Sequence, residues 1–176
     1  MRVAGAGEDF DRLVDELRTQ LASLTRTPLG ELRPHAAESL TVLRLAGSLL
    51  YPALLAAVED PAATDLEPLI RGPVTELVRT ASRGLPSSIL WGNVASVIES
   101  SARMIAAEHP ARSDRVFALA GQTLLLPPLA GAWTGQVGST FRRTSCCQVT
   151  SPDPAELRCG DCVRSAPTEA ASDLAE

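Results

Sequence analysis

All four cysteines of this 176-residue chain, Cys146, Cys147, Cys159 and Cys162, fall within 17 consecutive positions. Cysteines used as small buried hydrophobes would be scattered. An adjacent pair followed, after eleven residues, by a Cys-Gly-Asp-Cys knuckle instead marks a place where the chain folds back to gather sulfur. Four thiolates can hold a structural zinc or an iron–sulfur cluster. Zinc sites usually draw their thiolates from knuckles, and the diverging side chains of directly adjacent cysteines suit one small ion poorly. A two-iron cluster offers two attachment points on each iron and accepts such vectors more readily. Gly160 permits a positive φ in the knuckle under either reading. Spacing favours the cluster and leaves zinc open.

Upstream of the cysteines the apolar residues recur at helical spacing. Phe10, Leu13, Val14, Leu17, Leu21 and Leu24 define an amphipathic helix over residues 8–25. Pro28, Gly30 and Pro34 make residues 25–35 a connection. Residues 36–60 read as an apolar core helix bent near Pro52 and ended by Asp60-Pro61, with a loop to about Leu66. Pro73 reads as the first-turn proline of a helix running to about Ser82, stopped by Gly84 and Pro86. Ser87 or Ser88 is placed to cap the longest helical pattern, up to about His109, whose broad apolar face includes Ile89, Leu90, Val94, Val97, Ile98, Ala102 and Ile105. Ser113-Asp114 opens a last helix through Leu126, broken by Pro127-Pro128. No β-alternation longer than four residues appears before residue 135. Aromatic residues make up only 3% of the chain, so Leu, Ala, Val and Ile must fill the core.

These patterns predict an all-α fold: a compact bundle of about five helices over residues 1–135, an irregular cysteine-rich segment over 136–164, and a small, polar, acidic tail over 165–176 expected to be disordered.

The charge pattern narrows the function. Net charge is −5, and all 16 basic residues are arginine. A mildly acidic chain without a basic tract argues against a nucleic-acid partner. The longest uncharged apolar run, Leu45 to Val58, is 14 residues with Pro52 inside it. A membrane span needs about 20, so no stable membrane insertion is expected. The first residues turn acidic before an apolar run can form, which argues against a secretory signal. The expected location is cytoplasmic, where clustered cysteines serve as ligands or redox groups rather than disulfides.

Arginines surround the cysteine segment. Arg142 and Arg143 precede it, Arg158 lies inside it and Arg164 follows. An oxidised two-iron cluster with four thiolates carries net −2, and reduction makes it −3. One arginine about 7 Å away, at an effective dielectric of about 20, favours the added electron by roughly 2 kcal/mol. Asp153, Glu156 and Asp161 oppose this, and surface pairing with these acids is the plainer reading. His35 and His109 read as surface or capping residues. Trp91 reads as core packing. Gly92, costing about 1 kcal/mol against alanine in mid-helix, suggests close approach of another segment. Trp133 and Arg103 are candidates for contact with a ligand. Gly5 and Gly7 follow no strand and indicate no dinucleotide fold.

The adjacent cysteines and the later Cys-Gly-Asp-Cys resemble the C-terminal motif of the FhuF-like ferric-siderophore reductases. Phe141-Arg142-Arg143-Thr144-Ser145 resembles the run leading into that family's double cysteine, Pro127-Pro128-Leu129-Ala130-Gly131 its approach, and Leu90-Trp91-Gly92-Asn93-Val94-Ala95-Ser96 its helical Trp-Gly-Asn segment. The resemblance covers about residues 87–164. Family members commonly carry ten residues between the cysteine pairs, against eleven here, a difference that loop closure tolerates. The resemblance implies that Cys146, Cys147, Cys159 and Cys162 bind a [2Fe–2S] cluster, and that Asn93 hydrogen-bonds the loop that carries it. It implies transfer of one electron to Fe(III) in a siderophore, releasing Fe(II), with a ferredoxin-like or flavin-containing partner as donor. An electron-transfer or biosynthetic-pathway iron–sulfur protein with another substrate is the rival reading. A structural zinc-binding module is the third.

Overall fold

The computed structural model describes residues 6–33, 35–60, 65–148 and 159–163. Over the described residues the protein is mostly helical, an all-α bundle of five helical rods with one two-stranded sheet. In order these are α1 (Ala6–Thr25), α2 (Ala36–Glu59), a third rod made of α3 (Glu67–Leu69), a π-turn (Ile70–Val74) and α4 (Thr75–Ala81), then α5 (Ser87–Glu108) and α6 (Ser113–Leu124). A 3₁₀ turn, Pro110–Arg112, joins the last two. Strands β1 (Trp133–Thr134) and β2 (Arg142–Arg143) pair antiparallel, Trp133 opposite Arg143 and Thr134 opposite Arg142.

The centre of the bundle is the packing of α2 on α5. Val42, Ala46, Leu50, Leu54 and Val58 of α2 are buried, as are Leu90, Val94, Ile98, Ala102 and Ile105 of α5. Each such Val, Leu or Ile side chain contributes about 1.5–3 kcal/mol by leaving water. α2 is long and apolar enough, by length and composition, to cross a membrane, yet it runs on through Pro52 as the middle helix of this bundle. Thr41 is buried with its hydroxyl donating to the Ala37 carbonyl, so no polar group is stranded there. α1 buries Phe10, but Leu24 at its far end is 82% exposed, so the expected apolar stripe is covered only in part.

Three helix boundaries differ from expectation. The third rod begins at Glu67 rather than Pro73, with Pro68 in its first turn. Pro73 sits inside the π-turn, where the Thr75 amide donates to the Ile70 carbonyl five residues back, as does the Thr75 hydroxyl at 2.7 Å. A widened turn lets a proline, which has no N–H to give, stand inside a continuous helix. At the start of α5 neither Ser87 nor Ser88 caps. Pro86 takes that place, and its carbonyl accepts the Ile89 and Leu90 amides. α6 ends at Leu124, two residues before the expected stop. The expected division at residue 135 lies between β1 and β2, and Leu129, Ala132 and Phe141 on either side of it join the helical core. The tail over 165–176, Gly5, Asp153, Glu156, Arg158 and Arg164 lie outside the described residues.

Candidate metal centre

The cysteine segment is fixed to the bundle by β2. The Arg143 amide donates to the Asp161 carbonyl at 3.0 Å, and Arg142 Nη1 donates to the Cys162 carbonyl at 3.2 Å. The knuckle closes on itself through the Cys162 amide and the Cys159 carbonyl, 3.0 Å apart. On the other side Trp133 of β1 stacks on Phe141 with ring centroids 5.6 Å apart, while its Nε1 donates to the Leu124 carbonyl. Trp133 is thereby committed to packing.

Arg143 is the largest fully buried side chain, 2% exposed. Its Nη1 donates to Asn93 Oδ1 and its Nη2 to Asp161 Oδ1, both at 3.0 Å. Nε lies 2.9 Å from Asp161 Oδ2 but off the line of its N–H, so that contact is coulombic and not a hydrogen bond. Asn93, also buried, donates through Nδ2 to Ser39 Oγ at 2.7 Å. A polar chain thus runs from α2 through α5 to the knuckle: Ser39, Asn93, Arg143, Asp161. Burial works against the Arg143 charge. Asp161, Cys147 and Cys159 together outweigh it and hold the guanidinium above its ordinary pKa.

Cys147 and Cys159 meet beneath this arginine, their sulfurs 3.6 Å apart. That is far longer than a disulfide at about 2.05 Å. Two thiolates on one tetrahedral ion, with metal–sulfur bonds of about 2.3 Å, lie about 3.8 Å apart. The pair therefore fits two ligands of a single metal atom. The hydrogen bond to Cys147, then burial and then the neighbouring sulfur's charge push the Cys159 thiol up, while Arg143 pulls it down. Cys162 is buried at the end of the same turn, and Cys146 is partly exposed. Among the described residues no group of three or more His, Cys, Asp or Glu side chains is gathered closely enough to hold a metal ion. Of the four cysteines, Cys147 and Cys159 are the pair brought into sulfur–sulfur contact in the described residues.

Two sequence expectations hold here. Asn93 does hydrogen-bond the cysteine segment, through Arg143. At Gly92 the close neighbour is Ser145, whose Oγ a Cβ would strike and whose hydroxyl donates to the Ser88 carbonyl at 3.0 Å. Gly92→Ala should therefore destabilise by about 1–2 kcal/mol, despite alanine's helical preference of about 1 kcal/mol. Adding Ser145→Ala should restore stability. Urea unfolding of the two single variants and the double variant measures this coupling directly.

Other candidates are placed elsewhere. His35 precedes α2 with Nδ1 3.1 Å from Glu38 Oε2, and His109 ends α5. Trp91 is partly buried against the core. Sequence reasoning offered pairing of the cysteine segment's arginines with its acids at the surface and missed that the Arg143–Asp161 pair is set in the interior. It also missed the buried Glu99, whose Oε1 receives Arg103 Nε at 2.7 Å. An acid four residues before an arginine within an otherwise largely apolar helix was the available signal for the second.

Fold and site together define an all-α protein in which a buried cysteine, Cys147, and a partly buried one, Cys159, meet under an arginine clamp. No family model, curated protein or solved structure gives a significant match to the chain.

Proposed function

We propose that this chain is a [2Fe–2S] protein of the ferric-siderophore reductase type. The observation that carries the reading is the Cys147–Cys159 pair, at ligand spacing and beneath a buried cation, within a four-cysteine motif resembling that of the FhuF-like reductases. Cys146, Cys147, Cys159 and Cys162 would hold the group. When bound it supplies a one-electron couple near the protein surface. The substrate is Fe(III) held by hard anionic oxygens, which bind Fe(II) far more weakly, so reduction releases the metal. No general acid, base or nucleophile is required of the chain.

The chain's own residues set the electrostatics. Arg143 places a cation beside two sulfurs and favours their anionic form. The α2–α5 pair holds Arg143 through Asn93, and this keeps the knuckle in place. The electron donor in this reading is a ferredoxin-like or flavin-containing partner, and the setting is the cytoplasm. A sulfur pair at 3.6 Å suits one zinc equally well, so a structural zinc module is the second reading.

Anaerobically reduced protein, freed of excess reductant, tests the function when mixed in turn with a ferric trihydroxamate, a ferric tricatecholate and ferric citrate, each with an Fe(II)-trapping chromophore. The expected result is about one Fe(II) per reduced centre from at least one of them. Absence of Fe(II) from all three would sink the reductase reading.

A further inference from the structure

Beside the knuckle lies a cavity of about 480 Å³, lined by Ser96, Glu99, Ser100 and Arg103 of α5, by Arg142 of β2 and by the knuckle residues Gly160 and Asp161. That volume is within the range of small-molecule sites. Positions 96, 99, 100 and 103 recur at helical spacing, so α5 turns one polar face toward the cavity while its other faces bury Val97, Ile98 and Ala102. Small serines keep that face open.

The lining is built rather than incidental. Glu99 is a carboxylate 4% exposed, a costly placement unless compensated. Its compensation is Arg103 Nε at 2.7 Å and the Gly138 amide at 3.0 and 3.2 Å from its two oxygens. Gly138 has φ +81°, and a Cβ there would press on the Phe117 ring at 3.1 Å, so glycine suits this wall. Arg103 Nη2 also donates to the Ser139 carbonyl at 3.3 Å. The effect of Glu99 is to hold the half-exposed Arg103 guanidinium at the rim. Both acids in the lining are engaged, Glu99 as above and Asp161 by Arg143. Facing the cavity are the half-exposed Arg103 guanidinium, already bonded to Glu99 and Ser139, the Arg142 guanidinium, which donates to the Cys162 carbonyl, and serine hydroxyls. These recognise anionic oxygens.

The geometry points to this cavity as the docking site of the electron acceptor, a metal chelate presenting anionic oxygens to Arg103 and Arg142. The inference rests on the reductase reading. Its occupant would touch the turn that joins Cys159 to Cys162, placing it against the metal centre. The chemistry is shared by carboxylate-type and catecholate-type chelates, and the probes separate them.

Gallium(III) chelates are inert to one-electron reduction, so binding is measured apart from electron transfer. Isothermal titration of the metal-loaded full chain with gallium(III) citrate and with a gallium(III) tricatecholate should show saturable binding of at least one. A cationic gallium(III) trihydroxamate should bind more weakly. Arg103→Gln, which can still hydrogen-bond Glu99, should weaken the tighter complex roughly tenfold. Ser96→Trp, filling the cavity, should abolish binding while the helical circular dichroism and visible spectrum stay as in the wild type. Unchanged affinity in Ser96→Trp, or no binding of either anionic probe to the wild type, would overturn the assignment. Failure of the reductase reading registers separately, as no Fe(II) from the corresponding ferric chelates.

Discussion

Arg143→Met is expected to lose roughly 3 kcal/mol of stability, with the loss concentrated in the cysteine segment. The substitution keeps much of the side-chain volume, so the cost is electrical and polar. Asp161 keeps a mostly buried carboxylate without its cation, and Asn93 loses the donor at its Oδ1. Breaking a buried ion pair from one side costs about 3–5 kcal/mol. Asp161 is 18% exposed and recovers some hydration, which places the value at the lower end. Urea unfolding followed by helical circular dichroism gives the global part. Thiol reactivity of Cys147 and Cys159 in metal-free protein gives the local part, and it should rise well before the helices unfold. In metal-loaded protein the same variant should lower the reduction potential by on the order of 100 mV, the equivalent of roughly 2 kcal/mol for one electron. Arg143→Lys should retain most of the potential while losing part of the stability, because an ammonium keeps the charge without the planar fork. Equal potentials in all three proteins would remove Arg143 from the electrostatics of the site and leave it a structural clamp.

The second large effect concerns the sulfurs themselves. Cys147→Ser or Cys159→Ser should cost at least about 100-fold in metal retention and remove or strongly shift the visible absorption. The two changes should have similar consequences, because their sulfurs lie 3.6 Å apart, a spacing that would suit two ligands of one metal atom. His35→Ala and His109→Ala provide the contrast. One histidine is engaged with Glu38 and the other ends α5, so each variant should keep its metal and spectrum. Metal analysis after desalting, with spectra of the same samples, decides the matter. A histidine variant that loses metal while Cys159→Ser keeps it would point to a different ligand set.

The helices were legible because their apolar residues follow the 3.6 period over several turns. The π-turn at Ile70–Val74 was not, since Pro73 satisfies the rule for a first-turn proline and only the packed rod shows it inside a helix. Leu24 fitted the period and is still exposed, because periodicity names a face without naming what covers it. At the candidate site Gly92 and Asn93 were readable, both being unusual residues for mid-helix. Arg143 was not. An arginine in a run of Gly, Ser and Thr reads as a surface charge, and its burial depends on an asparagine 50 positions earlier and an aspartate 18 positions later. Asp161 pairs with Arg143, one of the pairings offered by the charge pattern, but in the interior rather than at the surface.

The central claim is that the four cysteines hold a two-iron cluster, and the most direct test is the iron, sulfide and zinc content of anaerobically purified protein with its ultraviolet–visible spectrum. About two irons and two sulfides per chain, with charge-transfer bands that bleach on reduction, is the predicted result. One zinc per chain with no colour, or no metal at all, would contradict it.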